Sequence, residues 1–192
     1  MEYSKTFNEG LEIYLKDNKG KTLASKQSHK DIQKLSSSSS GVLAKGKMYA
    51  FEYFTKGSPF YDSYPIVIGL GRSDSGNQIG INLHCIPYNF RIEFLKDITN
   101  SLESQISSQL KGRKLGNPKL QESINYLTWD NLKKTYQKKY NLKSAVRQYL
   151  LSNMRNVRVL GYEHWYLGAV HNENYFIGGT ISQAQSLYSK NI

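Results

Sequence analysis

Cys85 is the single cysteine in this chain of 192 residues, so no intrachain disulfide can form and a zinc site built on cysteines is excluded. That suits assembly in a reducing cytoplasm. No apolar run reaches the roughly 18 residues that a membrane-spanning helix needs. The N-terminus MEYSKTFNEG carries acids where a secretory signal carries an apolar stretch. Neither membrane insertion nor secretion is expected. The four histidines include no H-x-x-x-H pair or other ligand spacing, and neither a metal nor another cofactor is expected. Acidic residues are scarce as well, 15 against 26 basic ones, for a net charge of +11.

That charge is concentrated in one part of the chain. Between Lys111 and Leu160 there are 12 basic residues and 2 acidic ones, whereas the rest of the chain holds 14 and 13. A basic segment of this kind suits a surface facing nucleic acid or an acidic protein. Lys133, Lys134, Lys138, Lys139, Lys143, Arg147, Arg155 and Arg158 are the candidate binding residues, because Lys and Arg neutralise phosphates without reading sequence. Interleaved Tyr126, Trp129, Tyr136, Tyr140 and Tyr149 could stack on bases. The alternative is that these aromatics belong to the core and the lysines are its solvated face. The 15 tyrosines bury area while keeping a hydroxyl for an interface, and they equally match the composition bias of an AT-rich genome.

Three domain-level segments are expected. Residues 1–47 read as an N-terminal arm: Leu11 to Leu15 alternates as L-E-I-Y-L, Asp17 to Gly20 is a turn signal, and a hairpin with Lys21 to Ala24 follows from that pattern. Ser36 to Ser40 reads as a low-complexity linker. Residues 48–177 form the core domain and 178–192 a C-terminal arm. In the core, alternating runs Met48 to Phe54, Ile66 to Leu70 and Ile79 to Ile86 predict three strands. Pro87 opens a helix over about 88–110, with Phe90, Phe94, Leu95, Ile98, Leu102 and Ile106 on its apolar face. A basic loop spans 111–120. A second helix starts near Thr128 with Trp129, Leu132 and Tyr136 inward, and a third is expected over about Leu142 to Val157. Val157 to Leu160 and Glu163 to His171 read as closing strands. The fold class is therefore α+β: a small antiparallel sheet or partly open barrel with about three helices and extended arms.

Catalytic chemistry has little to build on. A metal-dependent nuclease needs carboxylates converging on Mg²⁺, and the candidates are Asp62, Asp74, Glu93 and Asp97 with Lys96 or His84. Asp62 sits in an aromatic and proline turn, where aspartate bonds local backbone donors. Glu93 and Asp97 have an ordinary solvated helix spacing. His84 is expected to be a hydrogen-bonded structural residue beside Asn82, with Cys85 on the opposite strand face. The glycine-rich run Gly69 to Gly76 lacks G-x-x-x-x-G-K-[ST] and joins strand to strand, so it reads as a hairpin loop. The chain is expected not to be an enzyme.

Two blocks resemble a known family. G-K-M-Y-x-F-x-Y is followed by Pro59, Phe60, Tyr61, Asp62, Ser63, Tyr64, Pro65, and then by Gly80, Ile81, Asn82, Leu83, His84, Cys85, Ile86, Pro87. Further on come Ala145, Arg147, Tyr149, Leu150, Ser152, Arg155 and Arg158, with Trp165 after them. Together they resemble small virion proteins of tailed bacteriophages, the DNA end protector and head, neck or baseplate proteins of T-even-like phages and cyanophages, with relatives in crAss-like phages. Cys85 stands where that family has an aromatic residue. The resemblance implies a protein made in the bacterial cytoplasm and resident in the virion. It implies a non-enzymatic, ring-forming homo-oligomer of the neck, tail or baseplate, partnered with portal, neck, tail or baseplate proteins. The alternative it implies is a double-stranded-DNA-binding protein that protects the ends of the packaged genome.

Overall fold

Alternation along two central strands sets the architecture of this computed structural model, which describes residues 3–17, 24–56, 60–110, 129–140, 142–171 and 176–179. In chain order the elements are α1 (Tyr3–Asp17), α2 (Ala24–Leu35), β1 (Ser37–Ser38), β2 (Met48–Tyr53), β3 (Tyr61–Asp62), β4 (Ile66–Arg72) and β5 (Gln78–Asn82). Then follow α3 (Tyr88–Leu110), α4 (Trp129–Tyr140), β6 (Val146–Tyr149), β7 (Met154–Leu160), α5 (Trp165–Val170) and β8 (Phe176–Ile177). Six strands form one antiparallel sheet in the order β1-β7-β2-β4-β5-β6, while β3 and β8 make a separate two-stranded ribbon. The fold is α+β. The large sheet stays open, with β1 and β6 as its edges, and does not close into a barrel.

Strands buried on both faces read as continuous apolar runs, which is why β2 and β4 stood out. Met48, Ala50, Ile66, Ile68, Leu70, Ile81 and Leu160 join one core with the helices. Tyr49, Phe51, Val67, Tyr149, Met154 and Val157 point the other way and form a second, aromatic-rich cluster with Leu43. The segment before β2 covers part of that second face. Gly69 permits this approach, because a Cβ there would lie 2.3 Å from the Ala44 carbonyl oxygen. The loop from β4 to β5 is a hairpin, closed by Ser73 N–H to Asn77 O at 2.9 Å with Gly76 at φ 82°.

The N-terminal hairpin is corrected to two helices. Phe7, Leu11 and Tyr14 recur at helical spacing and are buried in the main core, leaving Ile13 and Leu15 exposed; the L-E-I-Y-L alternation is the incidental pattern. Burying a side chain such as Phe7 is worth about 1.5–3 kcal/mol, which outweighs the alternation. Gly10 lets Tyr166 lie against α1, since a Cβ would meet its ring at 2.6 Å. The serine tract is corrected too: Ser37 and Ser38 pair with Val159 and Arg158 and form an edge strand.

The helix expected over Leu142 to Val157 is instead a 3-10 turn (Leu142–Ser144), β6, a second 3-10 turn (Leu151–Asn153) and the start of β7. The strand expected over Glu163 to His171 is a 3-10 turn leading into α5. Gly168 seats α5 against β2, where a Cβ would lie 2.7 Å from the Met48 sulfur. Cys85 and His84 occupy a buried 3-10 turn (Leu83–Cys85) rather than a strand. In α3, Phe94, Leu95 and Ile98 are buried as expected, but Phe90 is exposed and Arg91 takes the inward place. In α4, Leu132 is buried and Tyr136 packs against the core. The basic loop 111–120, Thr128 and the C-terminal arm from residue 180 lie outside the described residues.

Gly80 is the tightest point of the sheet: a Cβ would fall 2.0 Å from Val67 Cγ1 and 2.9 Å from Ile68 O. Val67 is fully buried and β-branched, so it has no room to yield. Gly80→Ala is therefore expected to lower unfolding free energy by about 1–3 kcal/mol in chemical denaturation, and an unchanged denaturation midpoint would refute this packing.

Candidate nucleic-acid interface

The turn after β5 builds a buried polar chain. Asn82 caps it by accepting from His84 N–H at 2.9 Å. This turns the His84 ring toward β3, where Nδ1 meets Asp62 Oδ2 at 2.7 Å. On its other side, His84 Nε2 lies 2.9 Å from Nδ1 of His171, the residue that ends α5. Asp62 also accepts from Asn82 Nδ2 at 2.9 Å and from Tyr64 N–H at 3.1 Å. Burial alone would raise the Asp62 carboxyl, but the His84 charge and these donors together hold it below the usual carboxylate range. The Arg91 guanidinium, fully buried, donates to the carbonyls of His171 and Ile86. Burial brings it down to about 10, so it is charged at neutral pH. His84 is thus the structural residue beside Asn82 that the sequence suggested.

Next to this chain, on the second face of the sheet, is a cavity of about 190 Å³. Arg147 and Tyr149 reach it from β6, being two apart on the same strand face. Asn82 closes it from β5, Tyr53 from β2, and Phe60, Tyr61, Asp62 and Phe176 from the ribbon side. Its aromatic rings are fixed by one another: Tyr53 meets Tyr149 edge to face at 5.2 Å, Tyr53 meets Tyr61 at 6.3 Å, and Phe60 stacks on Phe176 at 5.1 Å. Arg147 is held by the carbonyls of Val146 and Ser144 and lies 3.4 Å from Cys85 Sγ. Burial raises that thiol to about 11, so it stays protonated and unreactive near neutrality. The Tyr149 hydroxyl, buried at the cavity wall within reach of Asn82, makes no well-formed hydrogen bond among the described residues. A second cavity, of about 400 Å³, is lined by Arg158, Asn156 and Ser39 together with Glu52, whose carboxylate opposes an anion there.

The candidate basic residues fall into two groups. Lys133, Lys134 and Lys138 are exposed on α4, Lys143 is exposed on the 3-10 turn that packs against it, and Arg147 follows on edge strand β6. Lys139, also on α4, is engaged by Asp97 at 2.9 Å. Arg155 and Arg158 lie on β7, which three strands separate from β6. At about 4.8 Å per strand that is on the order of 20 Å, so the eight do not make one patch. Arg155 sits in register with Glu52, and Arg158 donates to Ser36 O at 3.2 Å. Among the candidate stacking residues, Tyr140 is buried with its hydroxyl 2.6 Å from Asp97 Oδ2, and Tyr136 bonds Ser101 Oγ at 2.5 Å. Both serve the α3 and α4 contact with Phe94. Tyr126 and the Trp129 side chain lie outside the described residues.

The carboxylates considered for a nuclease are dispersed: Asp62 is in the buried chain, Asp97 bonds Tyr140 and Lys139, and Asp74 and Glu93 are exposed. Among the described residues no three His, Cys, Asp or Glu side chains are grouped to hold a metal, and no helix is long and apolar enough to cross a membrane. Sequence reasoning noticed Asp62 and His84 but missed Arg91 and His171 as their neighbours. It also missed the cavity, because its walls come from five separate segments. The repeated tyrosines at 53, 61 and 149 were its only trace.

Burial, His84, Arg91 and His29 all disfavour a second charge at His171, whose pKa lies well below the ordinary 6.5. Its neutral form is thus the folded form, and the unfolded chain takes up the proton first as pH falls. Stability from this group is complete above about pH 6.5 and declines below it, by about 1.4 kcal/mol per pH unit, until the folded pKa is reached. Thermal melts between pH 7.5 and 5 are expected to show a falling Tm, and a smaller fall in His171→Gln. Equal slopes in the two proteins would remove His171 as the cause.

The family model described as phage T4 terminal DNA protecting protein matches residues 16–114, just over half of the chain. Those residues include β2 to β5 with Asp62, Asn82, His84 and Arg91, whereas α4, β6 and His171 lie beyond them. No curated protein and no solved structure matches.

Proposed function

This chain belongs to the phage T4 terminal DNA protecting protein family, and we propose that it binds the ends of linear double-stranded DNA and shields them from degradation. The observation that carries the reading beyond the family is the exposed lysine face of α4, continued by Lys143 and Arg147. Asp130 is the acidic residue on that helix, so Lys133, Lys134 and Lys138 present net positive charge to solvent. Lysines that neutralise phosphates release the counterions condensed on DNA, which gives affinity without sequence preference. Protection requires occupancy of the terminus and no chemistry, so the proposed role is non-enzymatic. The family's phage association supports residence in the virion.

A second reading, a ring-forming neck, tail or baseplate component, is favoured by a different surface. Phe54, Leu150 and Leu151 are exposed, and Phe54 N–H bonds Asn153 O at the turn that carries Leu151. Exposed apolar groups gathered this way suit contact with another virion protein or another copy of the chain.

Affinity for a linear duplex and for a relaxed circle of the same sequence, across a salt series, tests the first reading. The linear form is expected to bind more tightly and to resist exonuclease. Changing Lys133, Lys134 and Lys138 together to Ala should reduce the slope of log K against log salt by about 2.7, at roughly 0.9 per phosphate. Equal affinity for circle and linear duplex would defeat end protection. A closed oligomer by light scattering that ignores DNA would favour the ring.

A further inference from the structure

Lysines on a helix cannot tell the end of a duplex from its middle, because phosphates line both. The cavity bordered by Tyr53, Tyr61, Asp62, Asn82, Arg147 and Tyr149 has the features that a terminus would need. At about 190 Å³ it is smaller than the roughly 300–1,000 Å³ of pockets that enclose a drug-sized ligand. It has room for one flat ring system. Tyr53, Tyr61 and Tyr149 stand edge to face, so their ring faces line it in different directions. Flat heteroaromatic ligands stack on such faces.

The polar groups decide what kind of ring. Tyr149 Oη is buried and makes no well-formed hydrogen bond among the described residues, with Asn82 within reach of it, a state that a ligand atom with better geometry would improve. Asn82 and Asp62 stand beside it, with Asp62 Oδ1 accepting from Tyr64 N–H and Oδ2 from Asn82 and His84. An alternation of hydroxyl, amide and carboxylate matches the mixed donors and acceptors on the edge of a nucleobase. A phosphate is disfavoured, because the Asp62 carboxylate forms part of the wall. Arg147, also in the wall and held by two carbonyls, is the cation placed to meet the backbone of a nucleotide whose base is inside.

We propose that this cavity receives the terminal nucleobase of a DNA end, unpaired and turned out of the duplex. This rests on the end-binding reading and explains how an end is distinguished. A terminal base has one stacking neighbour instead of two, so it is the base whose extraction costs least.

The test compares duplexes that differ at the last nucleotide of each strand, intact or abasic, against the wild-type chain, Tyr149→Phe and Tyr61→Ala. Wild type is expected to bind the abasic-ended duplex about tenfold more weakly, in the range of one stacked base. Tyr61→Ala should bind the two duplexes nearly alike, and Tyr149→Phe, which keeps the ring, should retain only part of the difference. Tyr149→Phe removes a buried hydroxyl that makes no well-formed hydrogen bond, so its Tm should stay close to that of wild type while the discrimination falls. An abasic end that costs nothing, or variants that keep full discrimination, would overturn the proposal while leaving end binding intact. If linear and circular DNA bind equally, a trinucleotide carrying terminal 2-aminopurine provides the separate probe. Quenching by wild type and not by Tyr61→Ala would sustain the cavity as a base site although end protection had failed. No quenching by wild type would overturn the cavity as well.

Discussion

The buried chain of Asp62, His84 and His171 is the interaction on which the rest of this structure depends. It joins three elements that no strand pairing connects: the β3 and β8 ribbon through Asp62, the turn after β5 through His84, and the end of α5 through His171. Arg91 adds α3 by bonding the His171 carbonyl. A buried carboxylate without partners would be protonated or expelled; here the donors around it keep it charged and in place. Removing one member leaves the others unpaired in a low-dielectric interior, which is costlier than the bond itself. The chain therefore fixes the ribbon against the sheet, and with it the wall of the cavity to which Asp62 and Tyr61 belong.

The two faces of the sheet then take different tasks. One face is consumed by packing against the helices, with Met48, Ile66, Ile68 and Ile81 in a single core. The opposite face has a smaller cluster, rich in tyrosine, partly covered by the segment crossing Gly69. Tyrosine suits this position because its ring packs while its hydroxyl reaches a polar atom: Tyr49 Oη accepts from Ala44 N–H at 3.0 Å, and Tyr53 Oη accepts from Leu150 N–H at 3.4 Å. Tyr149 departs from that rule, its buried hydroxyl making no well-formed hydrogen bond among the described residues, and it does so at the wall of the cavity.

How much of this the sequence disclosed follows from how local each pattern is. The runs from Met48 and Ile66 were legible because both sheet faces are buried there, and the helix from Tyr88 because Phe94, Leu95 and Ile98 repeat on one face. Leu142 to Val157 misled because Leu142, Val146, Tyr149, Leu150 and Met154 also fall at helical intervals. Pairing of β6 with β5 and of β7 with β2, over separations of roughly 70 to 110 residues, decided the outcome, and no local window contains that information. Ser37 and Ser38 are a strand for the same reason. The α4 lysines could be read from composition, but their distance from Arg155 and Arg158 depends on strand order. Asp62 and His84 drew notice through their setting among prolines and aromatics, while His171, 87 residues beyond His84, carried no signal that could link it to them.

On the proposed function, charge and cavity answer two different physical requirements of staying on a DNA terminus. Electrostatic attraction is long-ranged on the scale of a Debye length, about 8 Å at physiological salt, and equally strong anywhere along a duplex. Such attraction would bring a chain to DNA and let it move along the polymer, but it gives no reason to stop. A short-ranged contact that only an end can make does give one. The sequence position of the two features fits this division: Lys133 to Lys138 and Lys143 lead directly into Arg147, which is both the last cation of that run and a wall of the cavity. On the proposed reading, a nucleotide whose base enters the cavity would have its phosphate beside Arg147, on the edge strand that lies between the helical face carrying the lysines and the face carrying the tyrosines. The occupant's base would then bond the Tyr149 hydroxyl, a buried group that gains a hydrogen bond on binding.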